Sequence, residues 1–155
     1  MLTLSVDVVS ALRGKGLTLA TAESLTGGGI GASLTAVPGA SEVFLGGVIS
    51  YVDRVKEEIL GVNREILEIW GAVSAQTAEA MASGVRQLLK ADLAVSVTGL
   101  AGPGGDEFGH RVGTVYIGLA SSKVKLVSEF HFDGCREEVR SQTVSAALQM
   151  ILDNL

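Results

Sequence analysis

The sequence contains very few of the residues that build disulfide frameworks and metal sites. It has one cysteine, Cys135, and two histidines among 155 residues. A single cysteine excludes an internal disulfide, and one cysteine with two histidines cannot supply the usual three or four zinc ligands without carboxylates. We therefore predict no disulfide, no metal and no cofactor.

Charge and long apolar runs are also scarce. Charged residues make up 19% of the chain, and 12 Lys and Arg against 17 Asp and Glu leave a net charge of -5 without a basic block, which argues against nucleic-acid binding. The longest uncharged run, 24–41, holds five glycines and Pro38, unlike the roughly 20 apolar residues of a membrane span. The N-terminus lacks the pattern of a signal peptide. We expect a cytoplasmic protein without a nucleic-acid or membrane partner.

The length and apolar content predict one compact domain. The 155 residues fit a single domain over 1–155, and an apolar fraction of 47% with little charge means that much of the chain is buried. This composition leaves room for a buried subunit interface, so we expect a homo-oligomer.

Periodicity and turn residues predict an α/β order of elements. Helices are predicted around 4–12, over 26–36, 53–60 and 64–70, from 74 to about 90, and from about 136 to 152. Strands are predicted over 17–20, 44–51, 93–98, 112–120 and 124–132. Helices separate the early strands and are missing between the late ones. This order predicts a single three-layer α/β/α domain with a mixed β-sheet.

Glycine and hydroxyl residues are concentrated between the first predicted strand and the next helix, in the segment TAESLTGGG over 21–29. Open α/β sheets bind ligands at this position. Glycines let backbone N–H groups approach a ligand, and a helix N-terminus stabilises negative charge, so Ser24 would lie beside donors for an oxyanion or a phosphate. The alternative is that Ser24 and Thr26 only cap the helix.

The same segment also fits a dinucleotide-binding fingerprint, Gly27-x-Gly29-x-x-Ala32, with Asp53 after the next strand. The first glycine of that fingerprint directly follows its strand, whereas six residues, 21–26, intervene here. The dinucleotide interpretation is therefore a minor alternative.

Tyr51 and Lys56 lie at the end of the second predicted strand and in the first turn of the next helix. If this strand neighbours the first, both side chains reach the crevice beside Ser24. A buried lysine of lowered pKa deprotonates serine without a histidine, which is the serine–lysine form of nucleophile activation. A solvated lysine and a tyrosine at the sheet rim remain the alternative.

Two later segments also favour ligand binding. The loop between the third and fourth strands is long and holds six glycines within 98–114, which is typical of a binding loop or a lid. Arg136 and Arg140 share one face of the last helix near its N-terminus and suit a phosphate, with pairing to Glu137 or Glu138 as the alternative.

Together these segments resemble the CinA C-terminal domain family, competence-damage-inducible proteins whose characterised members are nicotinamide mononucleotide (NMN) deamidases. The matching stretches are TAESLTGG, VPGASEVFLGGVISY with Lys56 five residues on, GAVSAQTAEAMA, and VTGLAGPGG followed by VGTVYIGLA. The resemblance covers nearly the whole chain. It implies an α/β/α amidohydrolase that converts NMN to nicotinate mononucleotide and ammonia without a metal.

The resemblance also implies a role for each matching residue. Ser24 would be the nucleophile, Lys56 its base and Tyr51 a hydrogen-bonding partner. Substrate contacts would come from Glu23, Thr26, Gly27, Gly28, Thr98, Gly99 and Gly102, and the phosphate would bind Arg136 or Arg140.

The chain departs from the family pattern at four places. Val52-Asp53 stands where Ser-Asn is usual, Cys135 stands where aspartate is usual, and the loop 106–111 differs. Leu25 replaces a common cysteine, which removes a rival nucleophile. The departures at Val52-Asp53 and Cys135 motivate an alternative function, a module that binds a nucleotide or a partner without hydrolysing it.

Overall fold

The computed structural model describes residues 2–155, which form six α-helices, a short 3-10 helix (Ala40–Glu42) and five strands. The helices are α1 (Leu2–Lys15), α2 (Gly29–Thr35), α3 (Asp53–Glu58), α4 (Arg64–Trp70), α5 (Ala75–Leu89) and α6 (Arg136–Asp153). The strands are β1 (Leu19–Glu23), β2 (Phe44–Ile49), β3 (Leu93–Gly99), β4 (Thr114–Ser121) and β5 (Lys125–His131).

The five strands form one mixed sheet in the order β2-β1-β3-β4-β5. β1 is parallel to both β2 and β3, while β4 and β5 are antiparallel additions. Helices lie between β1, β2 and β3 in the chain and act as crossovers, whereas the last three strands follow one another through loops. The predicted fold class, a mixed sheet in an α/β/α arrangement, is confirmed.

Side-chain size decides which helices cover each face of the sheet. Leu93, Val95 and Val97 of β3 pack with α1, α2 and α6 on one face. Small residues face α5 on the other, where Ala94 and Ala22 pack with Met81 and Val85. The small residues let α5 approach closely enough for the Ser96 hydroxyl to donate to the Ala78 carbonyl at 2.6 Å. Both faces are therefore covered, which explains the low content of charge.

Two predicted boundaries near Ser24 were wrong. The first strand, predicted over 17–20, runs over Leu19–Glu23 because it pairs on both sides and carries polar residues into the sheet. The next helix, predicted from 26, begins at Gly29 because Gly27 and Gly28 have φ angles of 58° and 101°. Only three residues, 24–26, then separate the strand from Gly27. The gap between strand and first glycine, which was the argument against the dinucleotide fingerprint, is therefore shorter than the six residues predicted.

Among residues 2–155, no helix is both long and apolar enough to cross a membrane.

Candidate active site

The carboxyl ends of β1 and β3 open into a cavity of about 390 Å³. This volume falls in the range of small-molecule sites. Its lining comes from the segments after β1, β2 and β3 and from the start of α6. Those residues are Ser24, Leu25, Tyr51, Asp53, Lys56, Ala72, Val73, Thr98, Gly99, Leu100, Ala101, Gly102, Gly104, Asp106, Glu107, Phe108 and Arg136.

The cavity has two walls of different burial. The inner wall consists of Ser24, Lys56 and Thr98, which are 7%, 1% and 1% exposed. The outer wall consists of exposed side chains, namely Tyr51, Asp53, Glu107, Phe108 and Arg136.

Ser24 is held by the sheet rather than by a flexible loop. It follows β1 directly, and its backbone N–H donates to the Val97 carbonyl at 3.0 Å, which extends the pairing with β3 by one residue. The neighbouring strand continues in the same way, since the Ser50 N–H donates to the Glu23 carbonyl at 2.8 Å. The hydroxyl of Ser24 is thereby presented at a defined position in the cavity.

Lys56 reaches Ser24 from α3. Its Nζ lies 3.1 Å from Ser24 Oγ, 2.7 Å from the Ser50 carbonyl and 3.3 Å from the Tyr51 carbonyl. A neutral amine has two N–H donors and one lone pair. When the two carbonyls accept both donors, the lone pair is directed at the Ser24 hydroxyl. The sequence predicted this pairing across 32 residues, and the structure brings the two side chains together.

Burial lowers the pKa of Lys56 to about 8, although the nearby Asp53 carboxylate raises it. A buried ammonium loses its hydration, so the neutral amine gains relative to the charged form. A base with a pKa near the working pH is both present in its neutral form and able to accept a proton. The site therefore places a serine hydroxyl beside an amine that can accept its proton, which is the arrangement that acyl transfer needs.

The Tyr51 side chain lines the cavity as a hydrogen-bonding partner of Arg136. Its hydroxyl accepts a hydrogen bond from Arg136 Nη2 at 2.8 Å, and only its backbone carbonyl contacts Lys56. Arg136 also donates through Nη1 to the Gly102 carbonyl at 2.7 Å. Tyr51 and Arg136 thus connect the segment after β2 to the glycine-rich loop across the outer wall.

Thr98 lies at the back of the cavity beside Gly99 and Gly102, as the sequence predicted. The Thr98 hydroxyl donates to the Ala72 carbonyl at 2.7 Å, so its oxygen keeps lone pairs available as acceptors.

Five predicted site residues lie outside the lining of the cavity: Glu23, Thr26, Gly27, Gly28 and Arg140. Glu23 is buried, and its carboxylate accepts from the Thr26 hydroxyl at 2.6 Å and from the Ile30 and Gly31 N–H groups at 2.9 and 3.0 Å. These contacts cap the start of α2. Glu23 and Thr26 therefore shape the turn after Ser24 rather than line the cavity.

Arg140 holds the turn that follows Ser24. Its Nε donates to the Leu25 carbonyl at 2.9 Å and its Nη2 to the Thr26 carbonyl at 3.3 Å. The N–H of Gly27 donates back to the Ser24 carbonyl at 3.1 Å. A trans peptide directs its N–H opposite to its C=O, so Arg140 on the Thr26 carbonyl orients the Gly27 N–H. The Gly27 bond to the Ser24 carbonyl in turn orients the Leu25 N–H. The phosphate role predicted for Arg140 does not fit this placement, because Arg140 lies outside the lining of the cavity and its guanidinium is bonded to backbone carbonyls.

Sequence reasoning missed two contributors to the site. The Ser50 carbonyl, which receives Lys56, carries no side-chain signal. Phe108 lies in the glycine-rich loop, and its place in the cavity depends on how that loop folds. Asp53 could have been found from the sequence. It lies three residues before Lys56 in a predicted helix, and this spacing places both side chains on one helix face.

Metal ligands are not assembled around the cavity. No group of three or more His, Cys, Asp or Glu side chains within residues 2–155 is placed to hold a metal ion.

The fold and the site together define an α/β/α protein with a buried serine–lysine pair where its parallel strands end. The model of the CinA C-terminal domain matches residues 1–155, and the chain belongs to this family.

Curated relatives and solved structures agree with this assignment. The chain is 47% identical over 137 residues to a putative competence-damage inducible protein of Desulforudis audaxviator, covering 88% of this chain and 33% of that protein. It is 53% identical over 118 residues to a CinA-like protein of Synechocystis, covering 76% and 28%. The chain thus spans about a third of the length of the curated relatives it matches.

Solved structures match over nearly all of both chains. The competence damage-inducible protein A of Klebsiella pneumoniae is 35% identical with a TM-score of 0.95, covering 97% of this chain and 93% of that one. The competence/damage inducible protein of Agrobacterium tumefaciens is 38% identical with a TM-score of 0.94, covering 98% and 93%.

Proposed function

We propose that this protein is an amidohydrolase that deamidates NMN to nicotinate mononucleotide and ammonia through a covalent intermediate on Ser24. The observation that carries the proposal is the 3.1 Å contact between Ser24 Oγ and the buried Lys56 Nζ. The family resemblance supplies the substrate, and the volume of the cavity suits a mononucleotide.

In the first step, Lys56 accepts the proton of the Ser24 hydroxyl while Oγ attacks the carboxamide carbon. The negative charge that develops on the carbonyl oxygen needs a donor close to Ser24. We assign this role to the Leu25 N–H, because Leu25 lines the cavity whereas the Gly27 N–H is already bonded to the Ser24 carbonyl.

In the second step, the C–N bond breaks and the protonated Lys56 gives its proton to the leaving nitrogen, which departs as ammonia. Water then attacks the ester while Lys56 accepts its proton, the bond between the acyl carbon and Oγ breaks, and Lys56 returns the proton to Ser24 Oγ as nicotinate mononucleotide leaves. We assign the phosphate to Arg136, which lines the cavity and keeps three further N–H donors beside the two it uses on Tyr51 and Gly102.

The departures from the family pattern leave the hydrolytic machinery intact, which supports an enzyme over a module that only binds. Cys135 still caps α6, since the Glu138 side chain accepts from its backbone N–H at 3.0 Å and the Cys135 side chain accepts in return. Asp53 lines the cavity one helical turn from Lys56 and leaves the Ser24–Lys56 contact in place.

Ammonia release from NMN by the unchanged chain and by Ser24→Ala tests the proposal, with nicotinamide and nicotinamide riboside as control substrates and Ser10→Ala as a surface control. Loss of the nucleophile should lower turnover about 10³-fold or more while calorimetry still detects NMN binding. Unchanged turnover would exclude the serine mechanism. Tight NMN binding without ammonia release by the unchanged chain would identify a binding module, and a preference for NAD or NADP would favour the dinucleotide interpretation.

The single domain over 1–155, the cytoplasmic location and the homo-oligomeric state stay predictions.

A further inference from the structure

The ring of Phe108 lies in the outer wall and is not used by the proposed mechanism. It is 41% exposed, although it lines a cavity large enough to hold a ligand. An aromatic ring open to a cavity offers apolar surface and a negative π face to a flat ligand.

The Phe108 ring packs directly against Gly71. A Cβ added at Gly71 would lie 2.6 and 2.7 Å from Cε2 and Cδ2 of the ring, so a larger residue there would displace the ring. Gly71 also has a φ of 80°, so glycine is favoured there twice over. The ring is therefore seated against bare backbone on one side while it remains accessible on the side of the cavity.

The loop that carries Phe108 is closed on itself by Asp106 and His110. One carboxylate oxygen of Asp106 accepts from the His110 backbone N–H at 3.0 Å, and the other lies 2.6 Å from the imidazole Nδ1. These two contacts span the five residues around Phe108 and limit where the ring can move. The Phe108 ring thus has a defined position in the lining of the cavity.

Carboxylate side chains line the same cavity as the ring. Glu107 precedes Phe108 and lines the same cavity, as does Asp53 across from the loop. Of the two cationic groups of the cavity, Lys56 is bonded to Ser24 and backbone carbonyls, and Arg136 is bonded to Tyr51 and Gly102 and keeps its other donors for the phosphate. An aromatic face and carboxylates that line one cavity both attract a cation.

We propose that the substrate's ring lies against Phe108, and that Phe108 and Glu107 select a flat cationic ring, an N-alkylated pyridinium carboxamide, over the same molecule with a neutral ring. This inference rests on the proposed function and adds a basis for substrate choice at the same site.

NMN and its reduced form test the inference, because they share the ribose phosphate and the carboxamide and differ in the charge of the ring. Calorimetry with Ser24→Ala measures both affinities without turnover. Adding Phe108→Leu should weaken NMN binding about fivefold and binding of reduced NMN less than twofold. Adding Glu107→Gln should weaken NMN binding about twofold and leave reduced NMN unchanged, and Glu68→Gln serves as an exposed control outside the cavity.

Phe108→Trp guards against a folding artefact, since it keeps an aromatic face and should retain the preference for NMN. If Phe108→Leu weakens the binding of NMN and of reduced NMN equally, or weakens neither, the inference is wrong even when the unchanged chain releases ammonia from NMN. If Ser24→Ala binds neither NMN nor reduced NMN, and the unchanged chain releases no ammonia, both the proposed function and this inference are wrong.

Discussion

The inner wall of the cavity is buried and hydrogen-bonded at every polar side chain, whereas the outer wall is exposed and joined by a few side-chain contacts. Ser24, Lys56 and Thr98 are fixed by sheet pairing and by backbone carbonyls. Tyr51 and Arg136 contact each other across the opening. Preorganised groups stabilise a transition state without reorganising, while exposed groups mainly hold the substrate. Changes in the inner wall should therefore lower kcat, and changes in the outer wall should raise KM.

The largest effect is expected from Lys56→Met, which keeps a long side chain but removes the base. Ammonia release from NMN should fall about 10²- to 10⁴-fold, the usual contribution of a general base. Single-turnover kinetics would place the loss in the chemical step, with Lys123→Met as an exposed control. Near-normal turnover by Lys56→Met would show that another group activates Ser24.

The next largest effect is expected from Arg140→Lys. This variant tests whether a residue outside the cavity lining affects kcat by holding the turn after Ser24. Arg140→Lys retains the charge but cannot serve both carbonyls in the same fork. We expect kcat to fall about 10- to 100-fold with little change in KM, because the Leu25 N–H loses its orientation. A rise in KM alone would instead support the phosphate role that the sequence predicted. Arg64→Lys on α4 is the matched control.

A smaller effect, on binding, is expected for Arg136→Gln in the outer wall. Losing a charge-assisted contact to phosphate should raise KM for NMN about tenfold and leave kcat within about twofold. Initial rates over a range of NMN concentrations separate the two constants. In the Ser24→Ala background, Arg136→Gln should not change the calorimetric affinity for nicotinamide riboside, which lacks the phosphate, and a parallel loss there would contradict the assignment.

The smallest effect concerns the pH dependence. Lys56 must be neutral to act, so kcat/KM should rise with pH through the Lys56 pKa of about 8. Asp53 raises that pKa, so Asp53→Asn should move the rise to lower pH and increase the rate at pH 7. With a pKa of about 8, roughly a tenth of Lys56 is neutral at pH 7, so the gain is at most about tenfold. Asp7→Asn on α1 should leave the profile unchanged, and an upward move in Asp53→Asn would contradict the role of Asp53.

Much of the fold followed from local patterns. The order of helices and strands and the mixed sheet were predicted because burial on one helix face or on both faces of a strand leaves a periodic trace. The boundaries around Ser24 were not, since Thr21 and Glu23 are polar residues within a buried strand, and only the pairing with β2 and β3 makes them extended. The positive φ angles of Gly27 and Gly28 likewise delay α2 to Gly29.

The site divides in the same way. The residue types in the ordered motifs pointed to Ser24, Lys56 and Thr98, and the structure gathers these three in the cavity. Glu23 and Arg140 were expected at the substrate, but their partners are backbone groups of α2 and of the turn after Ser24.

The sequence by itself determined which chemical groups are present and in what order the elements follow, because both depend on neighbours along the chain. The tertiary structure decided what each group contacts. Arg140 and the Leu25 carbonyl are 115 residues apart, and Lys56 and Ser24 are 32 apart. Only the packing of α3 and α6 around the end of β1 brings such pairs within hydrogen-bonding distance, and burial there lowers the Lys56 pKa.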